Sequence, residues 1–134
     1  MNNKGLGLFE IVILIILLIF LLSAIRSSAQ ELTPNDLSLI RCTCYLPTGH
    51  RTADGTVPYE GIIASNSSHL GDIAVLYSIN GEFIGYFECR DTGGASTLQD
   101  GTSIDIFCQT PERMSAWIST YGDYVYIKWI KAEG

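Results

Sequence analysis

The amino-acid sequence predicts a mostly β protein, a barrel of six short strands with one late helix, preceded by an apolar N-terminal helix. Three observations support this prediction. Short runs of β-favouring residues follow one another between glycine-rich turns, a pattern typical of small barrels. A single helical pattern comes late in the chain. Residues 6–25, in contrast, are almost wholly apolar.

The N-terminal segment, residues 1–29, is predicted to be directed to a membrane. Residues 11–22 have no polar side chain, Lys4 precedes them, and the small residues at 27–29 resemble a signal-peptide cleavage site. The apolar span of about 20 residues is also long enough to cross a bilayer. A cleaved signal peptide and an uncleaved membrane anchor therefore both stay open, and either one places the rest of the chain outside the cytoplasm.

One domain is predicted after this segment, because the remaining length suits a single core. Residues 30–38 are polar and form a linker, and the domain covers 39–134. Residues 39–46 alternate as a first strand. Residues 47–60 have no periodicity and form a long loop, a kind of segment that is often functional, before the short apolar strand 61–64.

A β-hairpin is predicted in the middle of the domain. The β-type runs 72–79 and 82–89 are separated by Asn80 and Gly81, a pair that suits a two-residue turn because both positions can take positive φ.

The C-terminal part contains strand 104–107, one helix and a last strand at 124–131. Thr110 is a suitable N-cap, Pro111 fits the first helical position, and Gly122 ends the helix. Apolar residues at three- and four-residue spacing are predicted to face the core: Met114, Trp117, Ile118 and Tyr121.

The charge of the domain argues against nucleic acid as a partner. The whole chain has a formal net charge of −6, and without residues 1–29 six lysines and arginines stand against thirteen carboxylates, a net charge of −7. Phosphate binding requires clustered basic side chains, and the sequence has no such cluster. A polymeric substrate would therefore be held by local contacts in a groove.

Four cysteines fall in the domain, and an even number in an exported chain is compatible with disulfides in three possible pairings. Free thiols serving as small core residues are the alternative. Zinc bound by the first two cysteines with a histidine is a weak match to known ligand spacing, and we expect no metal. The cysteines are Cys42, Cys44, Cys89 and Cys108.

The histidines, His50 and His69, are predicted to be solvated loop residues. A nucleophilic pair of Cys44 and His50 is conceivable, but no third group is evident to orient it.

Two carboxylates are the candidate catalytic pair. Asp91 belongs to a glycine-rich turn at residues 90–95, and Asp105 belongs to the apolar segment 103–107. We expect these segments to be neighbouring strands. Apolar neighbours of Asp105 would desolvate it, and a second carboxylate would oppose its ionisation, so both effects would raise its pKa. An acid with a raised pKa can donate a proton near neutral pH.

Residues 41–131 resemble the 3D domain, a family named for three aspartates that occurs in membrane-bound lytic murein transglycosylase A and in small wall proteins of Gram-positive bacteria and their phages. The resemblance rests on short motifs in the family's order, followed by a closing helix, glycine and strand: Thr43-Cys44-Tyr45, Thr52-Ala53-Asp54-Gly55, Gly61-Ile62-Ile63-Ala64, Leu70-Gly71, Arg90-Asp91-Thr92-Gly93-Gly94 and Ile104-Asp105-Ile106-Phe107.

The resemblance implies a double-psi β-barrel whose groove binds peptidoglycan glycan strands. It implies cleavage of the β-1,4 bond between N-acetylmuramic acid and N-acetylglucosamine to a 1,6-anhydro product, with Asp105 as the acid, Asp91 supporting it and no cofactor. Asn66 stands where the family has its first aspartate. The residues expected to bind substrate are Tyr45, Thr52, Asn66, Thr92, Gly93 and Gly94.

The alternative function is a non-catalytic module that binds wall polysaccharide, similar to expansin-like barrels. In that case Asp91 only caps its glycine turn, and Asp105 is a barrel residue satisfied by backbone N–H groups. Both functions have peptidoglycan glycan strands as partner, and an uncleaved N-terminal segment would add the membrane.

Overall fold

The computed structural model describes residues 5–28 and 36–133, without the side chains of 25–28. The chain divides into two compact units, Met1–Thr33 and Pro34–Gly134. Parts of two sequence predictions lie outside the described residues, namely the end of the cleavage site at Ala29 and most of the linker at 30–38.

The N-terminal unit contains helix α1, Leu8–Ser28, which confirms the predicted apolar helix. The apolar side chains of residues 11–22 are exposed on every side of it. The N–H of Gly7 donates to Glu10 Oε2 at 2.9 Å and so caps the first turn. Within residues 5–28 and 36–133, no helix combines the length and the apolarity needed to span a membrane.

Within residues 36–133, the second unit contains six strands, two α-helices and a 3-10 helix at Ser67–His69. The strands are β1 Ser38–Tyr45, β2 Ile62–Ser65, β3 Ile73–Tyr77, β4 Phe83–Thr92, β5 Ser103–Phe107 and β6 Tyr124–Ile130. The α-helices are α2 Ser96–Gln99 and α3 Pro111–Tyr121.

The six strands close into a barrel in the order β1-β5-β2-β4-β3-β6, which confirms the predicted fold class. The pairs β1–β5 and β2–β4 are parallel, and the other four pairs are antiparallel. Exchanging β1, β2 and β3 for β4, β5 and β6 reproduces every pairing, so the two halves of the domain have the same strand topology. Two parallel strands need a crossover connection. In each parallel pair, one strand comes from the first half of the domain, β1–β3, and the other from the second half, β4–β6.

The core fills the barrel with inward-facing side chains from every strand. On β1 the predicted alternation is confirmed, because Ile40 and Cys42 are buried while Arg41 and Thr43 are exposed. The central side chains are almost completely excluded from solvent: Ile63, Ala74, Leu76, Cys89, Ile104 and Val125.

The predicted hairpin forms from β3 and β4, but its turn differs from the two-residue turn expected. Gly81 alone takes positive φ, at 84°, while Asn80 does not. The Gly81 N–H donates to the Ser78 carbonyl at 2.8 Å, and the Ser78 N–H donates to the Glu82 carbonyl at 2.8 Å. The connection is therefore a four-residue turn that ends in a left-handed glycine.

Helix α3 begins and ends as predicted, since the Thr110 hydroxyl accepts the Arg113 N–H at 3.2 Å and Gly122 closes it. The predicted apolar stripe is only partly correct: Met114, Trp117 and Tyr121 pack on the core, but Ile118 is 49% exposed. Helix α2 lies between the glycine-rich turn and β5, where the sequence predicted no helix, and its Leu98 is buried.

All four cysteines are free thiols in the structure, which agrees with the alternative that they serve as small core residues rather than in disulfides. Cys42, Cys89 and Cys108 are buried and Cys44 is half-buried. Burial raises the pKa of Cys42 to about 12 and the pKa of Cys89 to about 11. Thiols with such values are poor nucleophiles at neutral pH.

The C-terminal end of the domain is attached to the barrel by one buried carboxylate. Asp72 accepts the Ala132 N–H at 2.9 Å and the Lys131 ammonium at 3.0 Å, and His69 Nδ1 lies 3.1 Å from it. These bonds, the backbone bond from Ala132 first, lower the pKa of Asp72 to about 2. His69 also stacks on Trp129 with ring centroids 3.8 Å apart. The prediction that His69 is a solvated loop residue is therefore wrong.

We expect Asp72→Asn to lower the free energy of unfolding by about 1–3 kcal/mol, because it leaves buried hydrogen-bond partners unsatisfied. The carboxylate stabilises the fold above the pKa of an unfolded aspartate and loses this effect as the pH falls towards 2. Denaturant unfolding between pH 7 and pH 3 should show the free energies of unfolding of the wild type and of Asp72→Asn drawing closer at the acid end. Asp123→Asn, at an exposed position, is the control, and an equal loss in both variants would contradict the assignment.

Candidate functional site

A cleft of about 180 Å³ lies on the outside of the barrel beneath the loop of residues 47–60. Its floor is formed by strands β2, β4 and β5, and its walls come from the loop and from α2. Both candidate catalytic carboxylates, Asp91 and Asp105, line it.

We expected the two aspartates to lie on neighbouring strands, but this prediction is wrong. They lie on β4 and β5, the two strands that flank β2. Ala64 of β2 pairs with Asp91 of β4 on one side and with Asp105 of β5 on the other. Neighbouring strands lie about 4.8 Å apart, so the two Cα atoms are roughly 10 Å apart. Because the residue between them carries only a methyl group, the floor is open between the carboxylates.

A β-bulge turns Asp91 onto this face. Ile63 pairs with Cys89, but the next residue of β2, Ala64, pairs with Asp91, so Arg90 is an extra residue in β4. Without the bulge, Asp91 would point into the barrel with Cys89, since side chains two apart share a face. Bulges are common next to functional sites for this reason.

Asp105 is half-buried and lies close to a single hydroxyl group. The Thr43 hydroxyl, on the neighbouring strand, lies 3.0 Å from Asp105 Oδ1. Burial raises the pKa of Asp105, the Thr43 hydrogen bond opposes this effect, and the negative charge of Asp91 adds to it. Asp105 is thus suited to holding a proton at a pH where an exposed aspartate has lost it.

Asp91 accepts three hydrogen bonds. Its Oδ1 accepts the N–H groups of Ala53 and Thr92, each at 2.9 Å, and its Oδ2 accepts the Tyr45 hydroxyl at 3.2 Å. Burial, followed by the Asp91 charge, raises the pKa of Tyr45, which keeps its hydroxyl as a donor. Asp91 therefore holds the overlying loop and also places a negative charge in the cleft.

The loop is held to β4 by a second set of contacts outside the cleft. Arg90 Nη1 donates to Asp54 Oδ2 at 3.2 Å, and Arg90 also pairs with Glu88. Tyr59 donates to Glu88 Oε1 at 3.0 Å. The extra residue of the bulge thus directs its own side chain outward to the loop.

Of the six residues predicted to bind substrate, four belong to β1, β4 and the turn after β4, and three of these four line the cleft. Tyr45, Thr92 and Gly93 line the cleft together with the aspartates, whereas Gly94 does not. Tyr45 also packs edge-on against Phe107, with centroids 5.4 Å apart.

The remaining two predicted binding residues, Thr52 and Asn66, have structural roles. The Thr52 hydroxyl is buried and donates to Asp54 Oδ1 at 2.6 Å within the loop. Asn66 Oδ1 accepts the Ser68 N–H at 2.8 Å, and Asn66 Nδ2 donates to the Gln99 carbonyl. Asn66 is therefore occupied in joining the turn after β2 to α2 and does not line the cleft.

Sequence reasoning missed several residues of the site. The cleft is also lined by Thr48, His50, Arg51 and Pro58 of the loop and by Leu98 of α2. The length of the loop was the available signal, because long loops are often functional, but nothing in its composition identified single residues. In the part of the chain that the structure describes, no three His, Cys, Asp or Glu side chains are arranged to hold a metal ion.

The cleft continues into a second cavity of about 380 Å³ between the loop and Gln109. The two cavities adjoin and are together called the groove, since they share five lining residues: Thr48, His50, Arg51, Pro58 and Phe107. An open groove suits an extended ligand better than a compact one.

Gly93 allows the close approach of α2 to the floor of the cleft. A Cβ atom at Gly93 would lie 2.3 Å from Leu98 Cδ1, whereas one at Gly94 would meet nothing within 4 Å. We expect Gly93→Ala to displace Leu98 and lower the free energy of unfolding by about 1–3 kcal/mol. Gly94→Ala should change it by less than about 0.5 kcal/mol. Equal stabilities of the two variants in denaturant titrations would contradict this packing.

Comparison with known proteins gives the chain no family: no protein-family model matches it, and no curated protein is significantly similar in sequence.

Proposed function

We propose that this protein is a peptidoglycan lytic transglycosylase of the 3D-domain type, with Asp105 as its general acid and base. The proposal is carried by one observation: Asp91 and Asp105 line one open cleft in different environments. Asp105 is partly buried and its pKa is raised, while Asp91 accepts three hydrogen bonds. Carboxylates in contrasting environments are typical of sites that use one of them as an acid.

The first step transfers a proton from Asp105 to the glycosidic oxygen. As the bond from this oxygen to C1 of N-acetylmuramic acid breaks, positive charge develops on C1 and the ring oxygen. The Asp91 carboxylate, which lines the same cleft, stabilises that charge. The departing sugar carries the transferred proton as its new 4-hydroxyl group.

The second step closes the 1,6-anhydro ring. The 6-hydroxyl of the muramic acid attacks C1, and the Asp105 carboxylate accepts the proton of that hydroxyl. Asp105 is then protonated again and ready for the next bond. Because the nucleophile belongs to the substrate, no second carboxylate has to activate water. The distance between Asp91 and Asp105 therefore does not have to match the fixed carboxylate separations of inverting or retaining glycosidases.

The groove supports a polymeric substrate. Its larger cavity, about 380 Å³, is within the range of ordinary ligand sites, and it adjoins the cleft with the aspartates. The exposed Val57 and the half-buried Pro58 give it apolar surface against which a sugar ring can pack, and Thr48 offers a hydroxyl. The overall negative charge of the domain is no obstacle to an extended glycan that is held by such local contacts.

The location of the protein follows from the same proposal. Peptidoglycan lies outside the cytoplasm, and the apolar N-terminal segment would direct the domain there, either as a cleaved signal peptide or as a membrane anchor. The domain would then act on glycan strands in the wall or from the membrane surface.

We expect Asp105→Asn to reduce release of anhydro-muropeptides from purified sacculi by at least about a hundredfold, because general acid catalysis contributes factors of this order. Mass spectrometry of the soluble products measures the effect. Asp100→Asn is the matched control, since Asp100 is exposed and its carboxylate bonds only within its own turn.

A protein that sediments with sacculi yet releases no product would contradict the enzyme and favour the binding module. Full activity of the Asp105→Asn variant would remove Asp105 from the acid role.

The activity should fall as the pH rises and Asp105 loses its proton, and this decline forms the alkaline limb of the pH profile. Thr43 hydrogen-bonds the carboxyl and lowers its pKa, so Thr43→Val should raise that pKa and move the alkaline limb to higher pH. Initial rates between pH 4 and pH 8 test this, with Thr120→Val on α3 as control. An unmoved or acid-shifted limb would show that another group controls the rate.

A further inference from the structure

Arg51 is the only lysine or arginine among the described residues that line the groove, and it contacts both of its cavities. The groove belongs to an acidic domain, and two carboxylates line its floor. A single cation in these surroundings is the one place where a negatively charged part of a ligand gains attraction rather than repulsion.

The guanidinium of Arg51 is largely unused by the protein. Its Nη1 donates to the Gly55 carbonyl at 2.9 Å. Arg90, Arg113 and Lys131 each have a carboxylate within 4.0 Å, but no described carboxylate lies within that distance of Arg51. Most of its five N–H donors are therefore free, and the planar guanidinium can bind a carboxylate through two parallel hydrogen bonds.

The loop holds Arg51 in place before any ligand arrives. The Gly55 N–H donates to the Thr52 carbonyl at 2.9 Å, and the Thr52 N–H donates to the Thr56 carbonyl at 2.9 Å. The Thr52 hydroxyl, itself buried, accepts the Thr56 N–H at 3.0 Å. The carbonyl that orients Arg51 thus belongs to a closed turn, so less side-chain freedom is lost when a ligand binds.

We propose that Arg51 forms a carboxylate-binding subsite in the groove, which selects glycan strands that carry carboxylates over uncharged ones. The proposal rests on the proposed function for its substrate. Peptidoglycan offers such groups from two sources, the lactyl group of muramic acid and the stem peptide attached to it. Uncharged glycans such as chitin oligosaccharides have neither.

The test is a binding comparison on soluble glycan strands with the full-length chain. One preparation carries stem peptides, a second has been stripped by an amidase so that the lactyl carboxylates are free, and a portion of each has its carboxylates converted to amides. We expect the wild-type protein to bind carboxylate strands about tenfold more tightly than their amidated counterparts. Arg51→Gln should bind both as weakly as the wild type binds the amidated ones.

Two further variants separate charge from folding effects. Arg41→Gln, at an exposed position on β1, should retain the full discrimination. Arg51→Lys should retain part of it, because a lysine keeps the charge but loses the two parallel hydrogen bonds. Rising salt should reduce the discrimination of the wild type. Discrimination on stripped strands assigns the lactyl group, and discrimination on peptide-bearing strands alone assigns the stem peptide.

The outcomes separate this subsite from the proposed activity. Binding without discrimination, or unchanged discrimination in Arg51→Gln, overturns the subsite alone. Discrimination without release of anhydro products supports the subsite and overturns the enzyme. Failure to bind any strand overturns the subsite together with its peptidoglycan substrate.

Discussion

The position of β2 between β4 and β5 is the constraint on which the candidate site depends. This short strand pairs in parallel with β4 and antiparallel with β5, and all four of its residues are buried. Its Ala64 sets the two aspartates on either side of a small, open floor. The bulge at Arg90 completes the arrangement, because it turns Asp91 to the outer face while Cys89 stays in the core. A regular ladder would have left one carboxyl group inside the barrel, where an ionised carboxylate is very costly.

The two carboxyl groups differ because their strands offer them different partners. Asp91 follows the bulge, at a place where loop and turn N–H groups and the Tyr45 hydroxyl converge on it. Asp105 lies within a regular strand whose backbone groups are used in the ladder, and among the described residues the Thr43 hydroxyl is its hydrogen-bond partner. Partial burial favours the protonated form of Asp105 and raises its pKa. The barrel thus gives two identical residue types different surroundings, without a metal-ligating cluster among the described residues.

Much of the fold could be predicted from the sequence, because alternation and end signals are local. The β1 alternation, the Thr110 cap and the final strand all match. The site was harder to predict, since its geometry depends on pairing between distant segments. No local pattern indicates that Arg90 is an extra residue or that β2 separates the aspartates. Asn66 shows the same limit: the amide suggests a ligand contact, but its partners are a backbone N–H two residues later and a carbonyl in α2.

The loop over the groove is coupled to the sheet through the same bulge. Arg90 points outward and binds Asp54, while Asp91 turns into the cleft and binds the Ala53 N–H. Two consecutive residues of β4 therefore hold two consecutive residues of the loop from opposite sides. A register change in β4 would release both contacts together. It would free the loop and move Asp91 away from Asp105. The wall of the groove and the arrangement of its floor therefore depend on one register, that of β4 against β2.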